Sequence, residues 1–123
     1  MNTIPRNPES PEEVTRMAPT NFALSVVLLQ ENDSWVAQAL EYDITAQGKT
    51  IQKATDALER TVVGQLLVDI THGSQPFEGI EQAPKIYWEH FEKAKRLEDS
   101  GKPLRVPISS STRVKLEDTR VFA

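Results

Sequence analysis

The chain contains no cysteine. Disulfides, thiolate zinc sites and cysteine nucleophiles are excluded together. Long hydrophobic runs are missing too. The longest, Val26 to Leu29, is four residues, against the roughly 18 that a membrane span requires. There are two histidines, His72 and His90, fewer than the three or four ligands a metal site usually gathers. Neither lies in a His-Glu-x-x-His pattern, and both read as surface or helix-end residues. Positive charge is scarce: 14 bases stand against 18 acids, a net charge of −4 over 123 residues. That balance argues against a dedicated DNA or RNA binder, which usually carries a basic face. Residues 1–6 (Met-Asn-Thr-Ile-Pro-Arg) carry no apolar signal segment, which predicts a cytoplasmic chain. The length is that of one domain.

Residues 1–20 hold four of the eight prolines and few large apolar side chains. Such a segment cannot bury enough surface to offset its ordering entropy, so a flexible arm is expected. From Asn21 onward the pattern changes. Phe22, Leu24, Val26 and Leu28 alternate with Ala23, Ser25, Val27 and Leu29, a strand apolar on both sides. Glu31-Asn32-Asp33-Ser34 reads as a turn. Trp35 to Leu40 pairs back as a hairpin, and residues 44–47 form a third short strand closed by Gly48. Thr50 is a good N-cap. Ile51, Ala54, Leu58, Val62, Leu66 and Ile70 then recur every three or four residues, an amphipathic helix ending near His72-Gly73. Residues 73–83 read as a loop. Pro84 opens a second helix, with Ile86, Tyr87, Trp88, Phe91, Ala94 and Leu97 as its apolar side. Residues 101–123, with five bases and two acids, form a basic tail or an edge strand. A domain over residues 21–100 is expected.

Few residues suggest chemistry. Gly48-Lys49-Thr50 resembles the end of a phosphate loop, but position 43, where that loop has glycine, is Asp. A turn glycine followed by a helix cap is the simpler reading. Ser109-Ser110-Ser111 is loop composition, with no nucleophile elbow around it. The distinctive feature is charge. Residues 21–48 carry four acids, Glu31, Asp33, Glu41 and Asp43, and no Lys or Arg. Three readings fit: a solvated hairpin edge, a face that docks a basic protein, or a carboxylate metal site, in falling order. The cluster Tyr87, Trp88 and Phe91 has helical spacing. It reads as core or a subunit contact before it reads as a base-stacking surface.

The tract Glu31-Asn32-Asp33-Ser34-Trp35-Val36-Ala37, then Gly48-Lys49-Thr50, then Lys53-Ala54-Thr55-Asp56-Ala57-Leu58 resembles the HicB antitoxin family. There an acidic turn precedes an aromatic-Val-Ala strand, and a Gly-x-Thr pair leads into a helix. The resemblance covers roughly residues 22–70. It implies an α+β fold: a small antiparallel sheet of three to four strands with a helix packed on one face. That fold is similar to a reduced RNase H-like one without the nuclease carboxylates. Here a second, C-terminal helix follows. It also implies a job, binding a small basic RNA-cleaving toxin, HicA, and covering its catalytic histidine. Two departures stand out. Leu40-Glu41-Tyr42-Asp43-Ile44 occupies the place of the family's Pro-Asp-Leu-Pro-like stretch. Residues 74–123 match neither a ribbon-helix-helix nor a helix-turn-helix pattern, which puts DNA binding in doubt.

The leading expectation is therefore a non-catalytic protein that occludes a HicA-like toxin. Glu31, Asp33, Glu41 and Asp43 would make the partner contacts, with Trp35 a packing residue. The alternative is a self-associating domain with no toxin client, a symmetric homo-oligomer built through an exposed sheet edge or through the face of Tyr87, Trp88 and Phe91. An enzyme resting on the carboxylates ranks last. No cofactor or metal is expected.

Overall fold

The computed structural model describes residues 20–98, 103–107 and 112–122. Apart from Thr20, the arm expected over residues 1–20 lies outside them, as do Gly101 and Ser109-Ser110-Ser111. Strand β1 (Thr20–Glu31) and strand β2 (Ser34–Ala39) form an antiparallel hairpin whose last pair is Glu31 with Ser34. Asn32 turns the chain with φ +55°, a left-handed conformation that Asn tolerates better than most side chains. Strand β3 (Thr45–Gly48) pairs antiparallel with β2.

Helix α1 (Ile51–Thr71) follows at once. A Cβ on Gly48 would lie 2.4 Å from the Ala54 nitrogen and 2.5 Å from the Lys53 carbonyl carbon. Both are backbone atoms, so only glycine fits at this corner. The Thr50 hydroxyl caps the helix by accepting from the Lys53 N–H at 3.0 Å. Thr50→Ala removes that acceptor and is expected to cost about 1 kcal/mol, read as a lower urea midpoint with unchanged slope. Ala54, Leu58, Val62 and Leu66 form the helix's buried stripe. It packs on the sheet face carrying Leu24, Val26, Leu28, Ala37, Val114 and Leu116.

The C-terminal third departs from expectation. The second helix, α2 (Lys85–Lys93), stops earlier than the apolar spacing suggests. Lys95–Arg96 already form a short strand, β4, and Leu97 packs into the α1-side core rather than along α2. Strand β5 (Pro103–Leu104) and strand β6 (Thr112–Phe122) complete the sheet. The order is β3-β2-β1-β6-β4, with β5 also against β6. β6 runs parallel to β1 from Thr20↔Thr112 to Leu29↔Phe122. It is thus an interior strand, not the edge strand or tail that its basic composition suggested. The sheet has six strands and is mixed, larger than the antiparallel sheet of three to four expected; the α+β class with two helices holds. A second, smaller core lies on the opposite face, where α2 brings Phe91 and the preceding loop brings Ala83 against Val27 and Leu40. No helix of the described residues is long and apolar enough to cross a membrane.

Candidate functional site

β1 and β2 decide where the four acids of residues 21–48 go. Glu31 and Asp33 sit at the hairpin tip, both exposed. Glu41 and Asp43 lie beyond the other end of β2, about 20 Å away at the usual strand rise. The fold therefore does not gather them on one face.

The two pairs also differ in chemistry. The Glu41 carboxylate is half-buried. It accepts the Ser25 N–H at 2.7 Å on one oxygen and the Ser25 hydroxyl at 2.8 Å on the other. It thereby holds the Leu40–Ile44 connection against β1, helped by the Leu40 N–H donating to the Ser25 carbonyl. Asp43 is exposed but accepts from the buried Gln38 Nε2 at 2.8 Å, and its own N–H donates to the Glu81 carbonyl. Glu31 and Asp33 have no ion pair or side-chain hydrogen bond among the described residues. The hairpin tip is the part of the acidic tract whose carboxylates have no internal partner among the described residues. Trp35 is half-buried and packs against the α1-side core.

The aromatic cluster of α2 is engaged within the chain. Phe91 is buried, and the Arg120 guanidinium lies 4.1 Å from its ring centroid. Arg120 also donates to the Phe91 carbonyl at 3.1 Å and forks onto Asp118 at 3.2 and 3.0 Å. The hydrogen bond to Asp118 raises the Arg120 pKa above its ordinary value despite the opposing effect of burial, so the cation persists at any ordinary pH. Tyr87 and Trp88 are half-buried against Val27 and Leu40. Trp88 Nε1 is buried without an acceptor among the described residues. Of the three residues expected at a subunit contact, Phe91 lies on the inner side of α2, and Tyr87 and Trp88 keep part of their surface exposed.

His72 ends α1, its Nδ1 2.8 Å from the Val68 carbonyl. His90 stacks tilted on Phe122 at 4.2 Å. The described residues include no group of three or more His, Cys, Asp or Glu side chains that could hold a metal ion. The Gly48-Lys49-Thr50 tract makes the β3–α1 corner and the cap described above. Sequence reasoning missed Ser25 and Arg120. Ser25 had a signal: a hydroxyl inside an apolar strand needs a partner. Arg120 had half of one: Asp118 stands two residues before it on the same face of β6, whereas Phe91 meets it only when α2 packs on the sheet. In comparisons with protein-family models, curated proteins and solved structures, nothing matches the chain.

Proposed function

We propose that the chain is a HicB-like antitoxin-type protein that binds and covers a small basic RNA-cleaving toxin, with no catalysis of its own. The observation that carries this reading is the hairpin tip. Glu31 and Asp33 project from a two-strand element with no cation among the described residues to neutralise them. Unneutralised carboxylates on such a projection steer a cationic partner and fix its register. The meander of β1, β2 and β3 followed by α1 also supports the reading. It is the order of elements the family resemblance implies, with Gly48 and Thr50 in jobs that require those residue types.

The test is co-expression of the tagged chain with the small basic reading frame nearest its gene. A stoichiometric complex that relieves growth arrest is expected. Recovery of the chain alone, with growth arrest unrelieved, would reject the toxin partnership.

A further inference from the structure

Residues 101–123 carry five bases, and the contacts described above use one of them. Arg120 is committed to Asp118 and the Phe91 ring. Lys102 lies outside the described residues, and Arg105 borders α1. Arg113 and Lys115 remain. Both belong to β6, two residues apart and so on one side of the strand. The register sets their neighbours. Asn21 of β1 stands beside Arg113, and Ala23 stands beside Lys115. Pro103 of β5 stands on the other flank of Lys115. Ala23 shares its side of β1 with Val27, the side on which α2 packs. The second core ends at Val27 and Leu40, and Ala23, Arg113 and Pro103 beyond it are exposed.

These residues line a cavity of about 270 Å³. The pockets of drug-sized ligands run to roughly 300–1,000 Å³, so the molecule that fits is smaller. Ala23 carries only a methyl group, which leaves the strands beneath open to a planar body. Arg113 and Asn21 are exposed, and neither has an ion pair or side-chain hydrogen bond among the described residues. Lys115 pairs with Glu117 at 3.5 Å, the two side chains being 44% and 55% exposed. A pair so exposed contributes little and yields to a ligand anion. Charge is graded along the face. Glu117, and Glu41 bound at Ser25, lie further along the strands towards α2. An anion is therefore drawn to the Arg113 end.

We propose that this cavity binds a small organic acid, a carboxylate carried on a flat apolar body. The planar Arg113 guanidinium would fork onto the carboxylate. The Lys115 ammonium and the Asn21 amide would be flanking donors. The body would lie over Ala23 against the Pro103 ring. Charge and shape together select this occupant. An uncharged molecule leaves both cations without a partner, and a bare anion leaves the apolar floor in water. A long acidic chain meets Glu117 and Glu41 as it extends. The chain as a whole carries a net charge of −4, so an unpaired arginine beside a lysine focuses small anions here. The inference stands apart from the toxin reading, which uses the opposite end of β1.

Naphthoate is the probe, titrated into the full chain and followed by backbone amide shifts. Binding should saturate in the millimolar range, with the shifts centred on Asn21, Ala23, Arg113 and Lys115. Naphthalenemethanol keeps the body without the charge, and acetate and inorganic phosphate keep the charge without the body. Each should bind at least fivefold more weakly. Arg113→Gln and Ala23→Leu change exposed positions, so both variants should keep the wild-type circular dichroism. Each should weaken naphthoate at least fivefold. Arg105→Gln, which removes a cation outside the cavity, should not. The absence of a saturable shift at these amides overturns the proposal. So does naphthalenemethanol, acetate or phosphate binding as tightly as naphthoate, or wild-type naphthoate affinity in either cavity variant. A tetraglutamate peptide that binds the same amides more tightly than naphthoate overturns it too, since the face then takes an acidic chain.

Discussion

Replacing Phe77 with alanine should remove about 3–5 kcal/mol of stability, a large share of the roughly 5–15 kcal/mol a domain has. Phe77 belongs to the 73–83 connection, yet its side chain is only 2% exposed. Its ring stacks on Tyr42 at 4.4 Å and meets Phe22 edge-on at 5.0 Å, closing the end of the α1-side core. Its backbone is left-handed, with φ +60°, a strained conformation for a bulky side chain. The buried Asp69 carboxylate holds it there, accepting the Phe77 N–H at 2.8 Å on one oxygen and Gln65 Nε2 at 3.0 Å on the other. This backbone gives the prediction a second, less usual part. Alanine keeps the left-handed strain and glycine relieves it, so Phe77→Gly should be more stable than Phe77→Ala by about 0.5–1 kcal/mol. Urea denaturation of the two variants measures both. A Phe77→Ala loss under 1 kcal/mol, or alanine more stable than glycine, would show that the loop repacks freely.

Phe77 also marks the limit of what periodicity discloses. The three-strand meander and α1 were legible because the residues of the α1-side core follow simple periods: two from Leu24 to Leu28 in β1, four from Ala54 to Leu66. A single aromatic in a Gly-, Ser- and Pro-containing stretch has no period, so its burial is a tertiary fact. β6 was obscured differently. Its buried positions are Val114 and Leu116, then Thr119. The interval changes from two to three because the register with β1 shifts between Leu24 and Ser25. The bulge at Glu117 and Asp118 restores the inward phase, but in sequence it reads as a broken alternation among charges. Its place beside β1 depends on a parallel crossover of the whole chain, which no local pattern encodes. The acidic site was half legible for the same reason. That residues 21–48 hold only negative charge was evident. That Glu41 would face Ser25, sixteen residues away, depends on hairpin register, and a slip of one residue would turn it to the other side.

That register divides the acids into a structural one and a pair open to a partner, and the division predicts opposite outcomes. Glu41→Ala leaves the Ser25 N–H and hydroxyl without the carboxylate that binds both. Hydrogen bonds to a charged group contribute about 1.5–3 kcal/mol, and a donor left unsatisfied adds to the loss, so a cost of about 2–4 kcal/mol is expected. Glu41→Gln keeps one acceptor oxygen and should recover part of it. The double variant Glu31→Lys, Asp33→Lys touches no internal partner and should leave the urea midpoint unchanged. On binding of the basic partner proposed above its effect should be large. Two charge reversals at the hairpin tip should weaken a cationic partner at least tenfold and flatten the dependence of affinity on salt, since screened attraction is what they remove. Titration calorimetry across a salt series, with the urea curves of the same variants, separates the two roles. If Glu41→Ala costs no stability, the bonds to Ser25 do not hold the Leu40–Ile44 connection. If the double variant binds with wild-type affinity and salt slope, the tip is not the docking site. A toxin bound by this chain would then be held through another surface, with Asp43 the remaining exposed carboxylate of the tract.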